Sequence, residues 1–441
     1  MRDTELTKGP IFKELIRFSL PMIAGNMLQQ VYNFADALIV GRCISADALA
    51  AVGSAYTLMV FISSVIIGLC MGSGAFFSAD YGAGNGAQLK EDIRLSFRFI
   101  LAVSVALELM VYPSAGVILR VLQTPQELME LTREYVLIVF SGIIFVFLYN
   151  FFAYLLRAVG KQVIPLIMLM ISSVLNVLLD LLFVPVLKMG VGGAALATVI
   201  SQAVAGVGLL LYARLKLPIL KSKEAAAGSP HRLRQIIIND ASTCVQQSVM
   251  NFGILMIQGL VNSFDTVIMA AFAAAVKIDT LAYMPAQEFG NAYSLFVSQN
   301  YGAGERERIR KGTKTAFAAS AVFCLAVSVV IFMNAENLMR IFIDSAELTM
   351  IAEGAKYLRI EGAMYVGIGV LFLWYGYFRG VGRPHISLIL TVISLGTRVV
   401  LSYALAPNTP LGVTAIWLSI PIGWLLADIA GIVFYHGKKR T

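Results

Sequence analysis

Charged side chains are scarce in this chain. Lys, Arg, Asp and Glu make up 14% of its 441 residues, whereas hydrophobic residues make up 58%. Soluble domains average about 25% charged and about 45–50% apolar residues. A water-soluble fold of this size could not hide so much apolar surface, which excludes a soluble enzyme. The composition predicts a membrane protein with many spanning segments.

Side chains and motifs of metal, redox and phosphate chemistry are also rare. The four cysteines are scattered, at Cys43, Cys70, Cys244 and Cys324, and their spacing indicates neither a disulfide framework nor a metal site. The Gly-x-x-x-x-Gly-Lys-Ser/Thr loop of ATP-hydrolysing proteins is absent, as are Gly-x-Ser-Gly, His-Glu-x-x-His and Asp-Asp. We therefore expect no enzyme, no cofactor and no hydrolysis of ATP by that route.

Long apolar runs dominate the chain. A helix needs about 20 apolar residues to cross a bilayer. Twelve runs qualify, at 14–37, 48–78, 95–115, 132–156, 162–185, 193–213, 236–263, 270–298, 315–334, 352–378, 385–406 and 412–435. The second contains Gly68, Gly72 and Gly74 and the eighth contains Pro285, which leaves room for a bend in each.

The basic residues predict the orientation. With the N-terminus in the cytoplasm, 25 of the 34 Lys and Arg residues lie on the cytoplasmic side, as the positive-inside rule requires. Both termini are then cytoplasmic. Residues 1–13 are polar and the run that follows is too long for a cleaved signal peptide, so the first span is expected to be retained. The net charge of +8 reflects this orientation, and we do not expect nucleic-acid binding.

Two motifs occur twice. Tyr-Gly-Ala-Gly stands at 81–84 and again at 301–304, and Arg-Ala-Val-Gly-Lys at 157–161 is matched by Arg-Gly-Val-Gly-Arg at 379–383. The offsets, 220 and 222, indicate two homologous halves of six helices, which enter the membrane from the same face. The prediction is an all-α polytopic membrane protein with a six-helix lobe at 1–213, a cytoplasmic linker at 214–234 and a second lobe at 235–441.

Glycines in these motifs and spans have structural interpretations. The stretch Gly82–Gly86 lacks the preceding strand and the Lys of a phosphate-binding loop, and its repetition predicts a helix cap and turn. The pairs Gly68 and Gly72, and Gly376 and Gly380, predict close helix packing.

A polar face runs along the first span. Spacings of three and four place its amides and carboxylate on one side of a helix, and they are Asn26, Gln29, Gln30, Asn33 and Asp36. Asn176 and Asp180 share a face of the fifth span, and the sixth contains Thr198.

A charge in the hydrocarbon core costs about 2.5–3.5 kcal/mol or more, so it usually has a partner or a function. The two carboxylates of this half can share a proton or bind a small hard cation, and the alternative is that they only join helices by hydrogen bonds.

The second half does not copy this arrangement. Asn176 and Asp180 align with Arg398 and Ser402, and only Asp265 keeps the carboxylate of its counterpart, Asp36. We therefore expect the ion-binding residues mainly in the N-terminal half. Candidate substrate-contacting or cavity residues are Gln29, Asn33, Asn262, Asp265, Lys277, Glu288, Met256 and Met284. Pairing between helices is the alternative for Lys277 and Glu288, and ordinary packing for the methionines.

The chain resembles the multidrug and toxic compound extrusion (MATE) family. The duplicated motifs and Pro21 with Asp36 in the first span carry the resemblance, which covers both halves. It implies a V-shaped pair of six-helix lobes that export organic cations in exchange for H⁺ or Na⁺. In the DinF-like branch the implied cation site matches Asp36, Asn176, Asp180 and Thr198. The NorM-like branch also uses carboxylates of the seventh and tenth helices, where this chain has only the peripheral Asp265 and Glu361.

These observations lead to one functional hypothesis. We expect a secondary multidrug antiporter, in which Asp36 and Asp180 bind H⁺ or Na⁺ and Asn176 and Thr198 are neutral ligands. Its partners would be drug-like small molecules and the bilayer, and it would act as a monomer in a prokaryotic cytoplasmic membrane. The alternative is a flippase for lipid-linked oligosaccharide or lipid II of the same superfamily.

Overall fold

The computed structural model describes residues 5–121, 124–222, 226 and 228–437. This part of the chain is helical, with turns and short connections and no strand. It divides into two compact units, one formed by Leu20–Gln247 and the other by Leu6–Ser19 together with the described chain from Ser248 onward. Each unit has its own hydrophobic core.

Two long helices contribute to both units, α1 (Ile11–Cys43) and α9 (Pro230–Val261). The other helices of the first unit are α2 (Ala46–Gly82), α3 (Gly86–Val121), α4 (Met129–Phe140), α5 (Ile143–Ala158), α6 (Val163–Leu181), α7 (Gly190–Lys216) and α8 (Pro218–Lys221). Those of the second are α10 (Thr266–Gly302), α11 (Arg306–Met339), α12 (Leu348–Gly362), α13 (Tyr365–Gly380), α14 (Pro384–Leu405) and α15 (Val413–Gly437).

The helices account for the twelve predicted spans. Among the described residues, nine helices are long and apolar enough to cross a membrane, and the pairs α4–α5 and α12–α13 each form one bent span. Helix α1, with 33 residues, is the twelfth, and polar side chains interrupt its apolar sequence. The twelve-helix, all-α architecture is therefore confirmed.

The breaks in the helices do not lie where the sequence left room for bends. The second and eighth spans form the uninterrupted helices α2 and α10, each of 37 residues. The bends lie instead between α4 and α5, by 46°, and between α12 and α13, by 52°. Ser141 and Ala363, the residues that follow α4 and α12, are 222 positions apart, so the two bends are equivalent in the repeat.

The Tyr-Gly-Ala-Gly segments end helices, as predicted. Gly84 and Gly304 have φ of +69° and +75°, a conformation in which a side chain would be strained. Beyond each glycine, a backbone N–H closes the last turn, from Asn85 to the carbonyl of Asp80 at 3.0 Å and from Glu305 to that of Asn300 at 2.9 Å.

The paired glycines pack closely, also as predicted. A Cβ atom on Gly72 would lie 2.7 Å from the Cα of Asp240 on α9, and one on Gly376 would lie 2.5 Å from the carbonyl oxygen of Gly290 on α10. These distances are too short for a side chain, so the helices approach each other through backbone atoms.

The segment predicted as a linker is partly helical. Helix α7 continues to Lys216, α8 covers Pro218–Lys221, and α9 begins at Pro230. Residues 223–225 and 227 of the predicted linker lie outside the described residues. The contact-based boundary falls at Gln247, within α9, while the lobe limits inferred from the repeat remain predictions.

Candidate cation-binding site

Three helices of the first unit supply the predicted ligands. Helix α1 carries Asp36, α6 carries Asn176 and Asp180, and α7 carries Thr198. Asp180 and Asn176 are 0% and 1% exposed, and Thr198 is buried. Asp36 is half-buried, with its Oδ1 atom inside the protein. The carboxyl groups of Asp36 and Asp180 are close enough to act on each other electrostatically, so the structure brings together the acids predicted from the sequence.

Several polar atoms of this site lack partners. Both carboxylate oxygens of Asp180, both amide atoms of Asn176 and Oδ1 of Asp36 are buried without a hydrogen bond to any described protein atom. Burying a carboxylate with no compensating partner costs several kcal/mol. A proton or a small cation at this position would remove that cost. The oxygens available are carboxylate, amide and hydroxyl oxygens, which suit a hard cation.

The end of α6 is irregular directly after Asp180. A π-helical turn, Leu182–Val186, follows α6 and contains Pro185, which has no N–H to donate. Single π-turns within helices occur frequently at functional sites. The irregular segment thus adjoins the acid that is most completely buried.

A tyrosine that the sequence analysis missed belongs to the same site. Tyr135 on α4 is 2% exposed and interacts with Asp36, Asp180 and Thr198. It lies shortly before the bend that separates α4 from α5. Tyr135 is not part of the pattern of acids and amides from which the site was predicted. The 222-residue offset nevertheless aligns it with another tyrosine, Tyr357.

The predicted cavity residues lie in varied surroundings. On α1, Gln29 is exposed and Asn33 is half-buried. Asp265 is exposed and caps α10 by accepting a hydrogen bond from the N–H of Ile268 at 2.8 Å. Glu288 is buried and accepts from the amide of Asn291 at 3.2 Å.

The remaining four divide between surface and interior. Asn262 and Lys277 are exposed, Met256 is half-buried, and Met284 is buried. A substrate-contacting role for any of these candidates stays a prediction.

A second buried acidic group, in the second unit, was not expected in full. The sequence predicts Glu361 at the periphery of its span, whereas in the structure its side chain is only 1% exposed. Asp279 on α10, which the sequence analysis did not single out, interacts with it. As an acid in an apolar run, Asp279 was visible in the sequence.

A family profile, curated relatives and a solved structure all match this chain over most of its length. The profile of the MatE family matches residues 21–182 and 242–404, one stretch in each half. "Probable multidrug resistance protein YpnP" of Bacillus subtilis is 29% identical over 456 residues, covering 100% of this chain and 98% of the relative. "Probable multidrug resistance protein NorM" of Thermotoga maritima is 25% identical, covering 97% and 93%. The solved structure "Crystal structure of MATE in complex with MaL6" matches in fold, with a TM-score of 0.91, 23% identity and complete coverage of both chains.

Proposed function

Because this chain belongs to the MatE family, we propose that it is a secondary multidrug efflux antiporter. It exports organic compounds, mostly cationic and amphipathic, in exchange for H⁺ or Na⁺. Support for export comes from relatives that are named multidrug resistance proteins and that align with this chain over nearly their whole length. The observation that carries the exchange mechanism is the set of buried, unpartnered oxygens on Asp36, Asn176 and Asp180.

In this mechanism the coupling cation enters the site from outside the cell. Asp36 and Asp180 bind it through their carboxylates, and Asn176 and Thr198 supply neutral oxygens. The cation drives export only if it binds one conformation more tightly than the other. A site that leaves buried carboxylates uncompensated when empty meets this condition, because the conformation that exposes them to water is favoured until a cation binds.

Helix α1 is suited to transmit this change. Residues 11–19 of α1 belong to the second unit, and the rest, including Asp36, belongs to the first. Pro21 directly follows Leu20, the first residue of α1 that belongs to the first unit. Because proline has no N–H, it removes one backbone hydrogen bond from the helix. Neutralising Asp36 therefore acts on a helix whose backbone hydrogen bonding is weakened at Pro21.

We propose that the protein lies in the prokaryotic cytoplasmic membrane, with both termini in the cytoplasm. It acts as a monomer without a cofactor. The distribution of basic residues supports this orientation, and the twelve helices support the multi-pass assignment.

The test is transport by purified protein in liposomes. A fluorescent organic cation is loaded, and a proton gradient and a sodium gradient are imposed separately. We expect one gradient or both to drive transport by the wild type, and Asp36→Asn and Asp180→Asn to abolish it. Asp344→Asn, which changes an exposed turn carboxylate, is the matched control and should transport normally. Gradient-driven transport at the wild-type rate in both site variants would refute the site, and flipping of a lipid-linked oligosaccharide without drug transport would favour the flippase.

A further inference from the structure

The second unit contains a buried polar cluster at the place that corresponds, in the repeat, to the cation site of the first. The offset of 222 aligns Tyr135 with Tyr357 and Asn176 with Arg398. The bend between α12 and α13 also corresponds to the bend beside Tyr135. The two places are therefore equivalent in the fold, although their side chains differ.

Asp279 is the centre of this cluster. It is 5% exposed, and each of its carboxylate oxygens accepts a hydrogen bond from a tyrosine. The hydroxyl of Tyr365 donates to Oδ1 at 2.7 Å, and that of Tyr357 donates to Oδ2 at 3.3 Å. Unlike Asp180 in the first unit, Asp279 thus has protein partners for both oxygens.

Glu361 is a second acid in the same cluster. It interacts with Asp279 and with Tyr357, and its Oε1 atom is buried without a hydrogen-bond partner among the described atoms. Two acids buried side by side repel each other when both are ionised. The cluster therefore needs positive charge, or a proton, to be stable within the membrane.

The chain itself supplies positive charge there. The charge of Arg398 on α14 acts on both Asp279 and Glu361. Among the described residues no ion pair within 4 Å joins its guanidinium to either acid, and its Nε atom is buried without a hydrogen-bond partner. Arginine stays protonated under all physiological conditions. In the first unit the equivalent position is the neutral Asn176, and the position of Asp180 is taken here by Ser402, whose hydroxyl lies 2.8 Å from that of Ser419.

We propose that Arg398 is a tethered counter-ion that takes the place of an exchangeable metal cation in the second unit. Its charge compensates one carboxylate, and a proton on Glu361 removes the remaining charge. The second unit then binds no Na⁺, because the guanidinium repels any further cation. The consequence that coupling is confined to the first unit rests on the proposed function, whereas the electrostatic effect of Arg398 on the two acids does not.

The experiment measures binding of radioactive Na⁺ to purified protein at about pH 8, where the low proton concentration favours exchange of the proton on Glu361 for Na⁺. All variants carry Asp36→Asn and Asp180→Asn, which silence the first unit. We expect no saturable Na⁺ binding in this background. Adding Arg398→Asn should create one saturable site per chain, and adding Glu361→Gln as well should abolish it. Arg398→Lys, which keeps the positive charge, should remain without binding.

Tryptophan fluorescence gives a second readout within the cluster. Trp417 stacks on Phe272 with ring centroids 5.1 Å apart and meets the ring of Tyr357 at 4.9 Å. Its emission should respond to Na⁺ only in the Arg398→Asn variant. Size-exclusion chromatography and circular dichroism check folding, and Arg398→Gln is the second neutral variant if Arg398→Asn does not fold.

Two results would overturn the proposal. One is Na⁺ binding with Arg398 intact that Glu361→Gln removes, because the site would then be open despite the guanidinium. The other is a folded neutral variant of Arg398 that gains no Na⁺ binding. Failure of the wild type to export drugs would instead contradict the proposed function, and would leave these binding results unchanged.

Discussion

Arg232, at the start of α9, donates hydrogen bonds to both carboxylate oxygens of Asp92 on α3. Its Nε atom lies 3.0 Å from each oxygen, and one terminal nitrogen lies 2.5 Å from Oδ2. The same nitrogen reaches Asp80, near the end of α2, at 3.0 Å. Asp92 is fully buried. One guanidinium thus fixes the start of α9 to the ends of two other helices of the first unit.

Arg232→Ala should lower the free energy of unfolding by about 3 kcal/mol, because it leaves the buried carboxylate of Asp92 without its counter-ion. The free energy of unfolding of Arg232→Lys should lie between those of the wild type and Arg232→Ala, since an ammonium group cannot bridge both acids with the same geometry. Denaturation of the purified protein measures the effect. Arg234→Ala, an exposed neighbour, is the control and should change little. Equal stability of the two alanine variants would show that the bridge contributes nothing.

Tyr135→Phe tests the tyrosine that joins the cation site. The substitution keeps the buried ring and removes only the hydroxyl that interacts with Thr198 and the two acids. A hydrogen bond between neutral groups contributes about 0.5–1.5 kcal/mol, so the cation concentration for half-maximal transport should rise by about 2- to 10-fold. Tyr112→Phe, at an exposed position on α3, is the matched control. An unchanged cation dependence in Tyr135→Phe would exclude the hydroxyl from the site.

The two acidic groups show what a single sequence can reveal. Asn176 and Asp180 were predicted because they lie four residues apart, and one helix then places them on the same face. Asp279 has no such neighbour on α10, and its partners come from α12 and α13. Contacts between helices depend on how the helices pack, which spacing along the chain does not encode.

The helical bends show the same limit. Glycines and a proline indicated possible bends in α2 and α10, but those helices continue, because an apolar environment stabilises the remaining backbone hydrogen bonds. The bend after α4 has no proline, and Gly142 at that point packs against Val199 of α7. The number of spans and the first cation site were therefore predictable, whereas the bends and the second acidic cluster required the structure.

Gly72→Ala should destabilise the protein by about 1–3 kcal/mol, the range for overpacked interiors. The added Cβ would lie 2.7 Å from the backbone of Asp240, so a helix must shift to admit it. Gly53→Ala, on the same helix, is the matched control because nothing lies within 4 Å of its added Cβ. The control should be neutral or slightly stabilising, by up to about 1 kcal/mol from helix propensity. Thermal unfolding compares them, and equal stability would contradict the close packing.

Arg308 performs in the second unit a task like that of Arg232 in the first, but with backbone acceptors. Its guanidinium donates to the carbonyls of Leu6, Lys8 and Gly9 at 3.2, 2.7 and 2.9 Å, just before α1 begins. Leu6 itself is fully buried. A lysine lacks the planar fork that reaches three separate acceptors. Leu6 is also held by Gln299, whose Oε1 accepts from its N–H at 3.2 Å, and by Asn300, whose amide donates to its carbonyl at 3.2 Å. Of these side chains, Arg308 alone also reaches Lys8 and Gly9 in the described hydrogen bonds, so the segment directly before α1 should depend on it.

Arg308→Ala should accelerate hydrogen exchange of the amides in residues 6–9 by about 10-fold or more, because local opening no longer breaks three hydrogen bonds. Arg308→Lys should recover only part of the protection. Arg310→Ala is the control, since Arg310 pairs with the exposed Glu307 at 3.4 Å. Mass spectrometry of peptides from this segment gives the rates. If Arg308→Ala and Arg310→Ala exchange at the same rate, the burial of Leu6 and its bonds to Gln299 and Asn300 hold the segment, and the guanidinium does not.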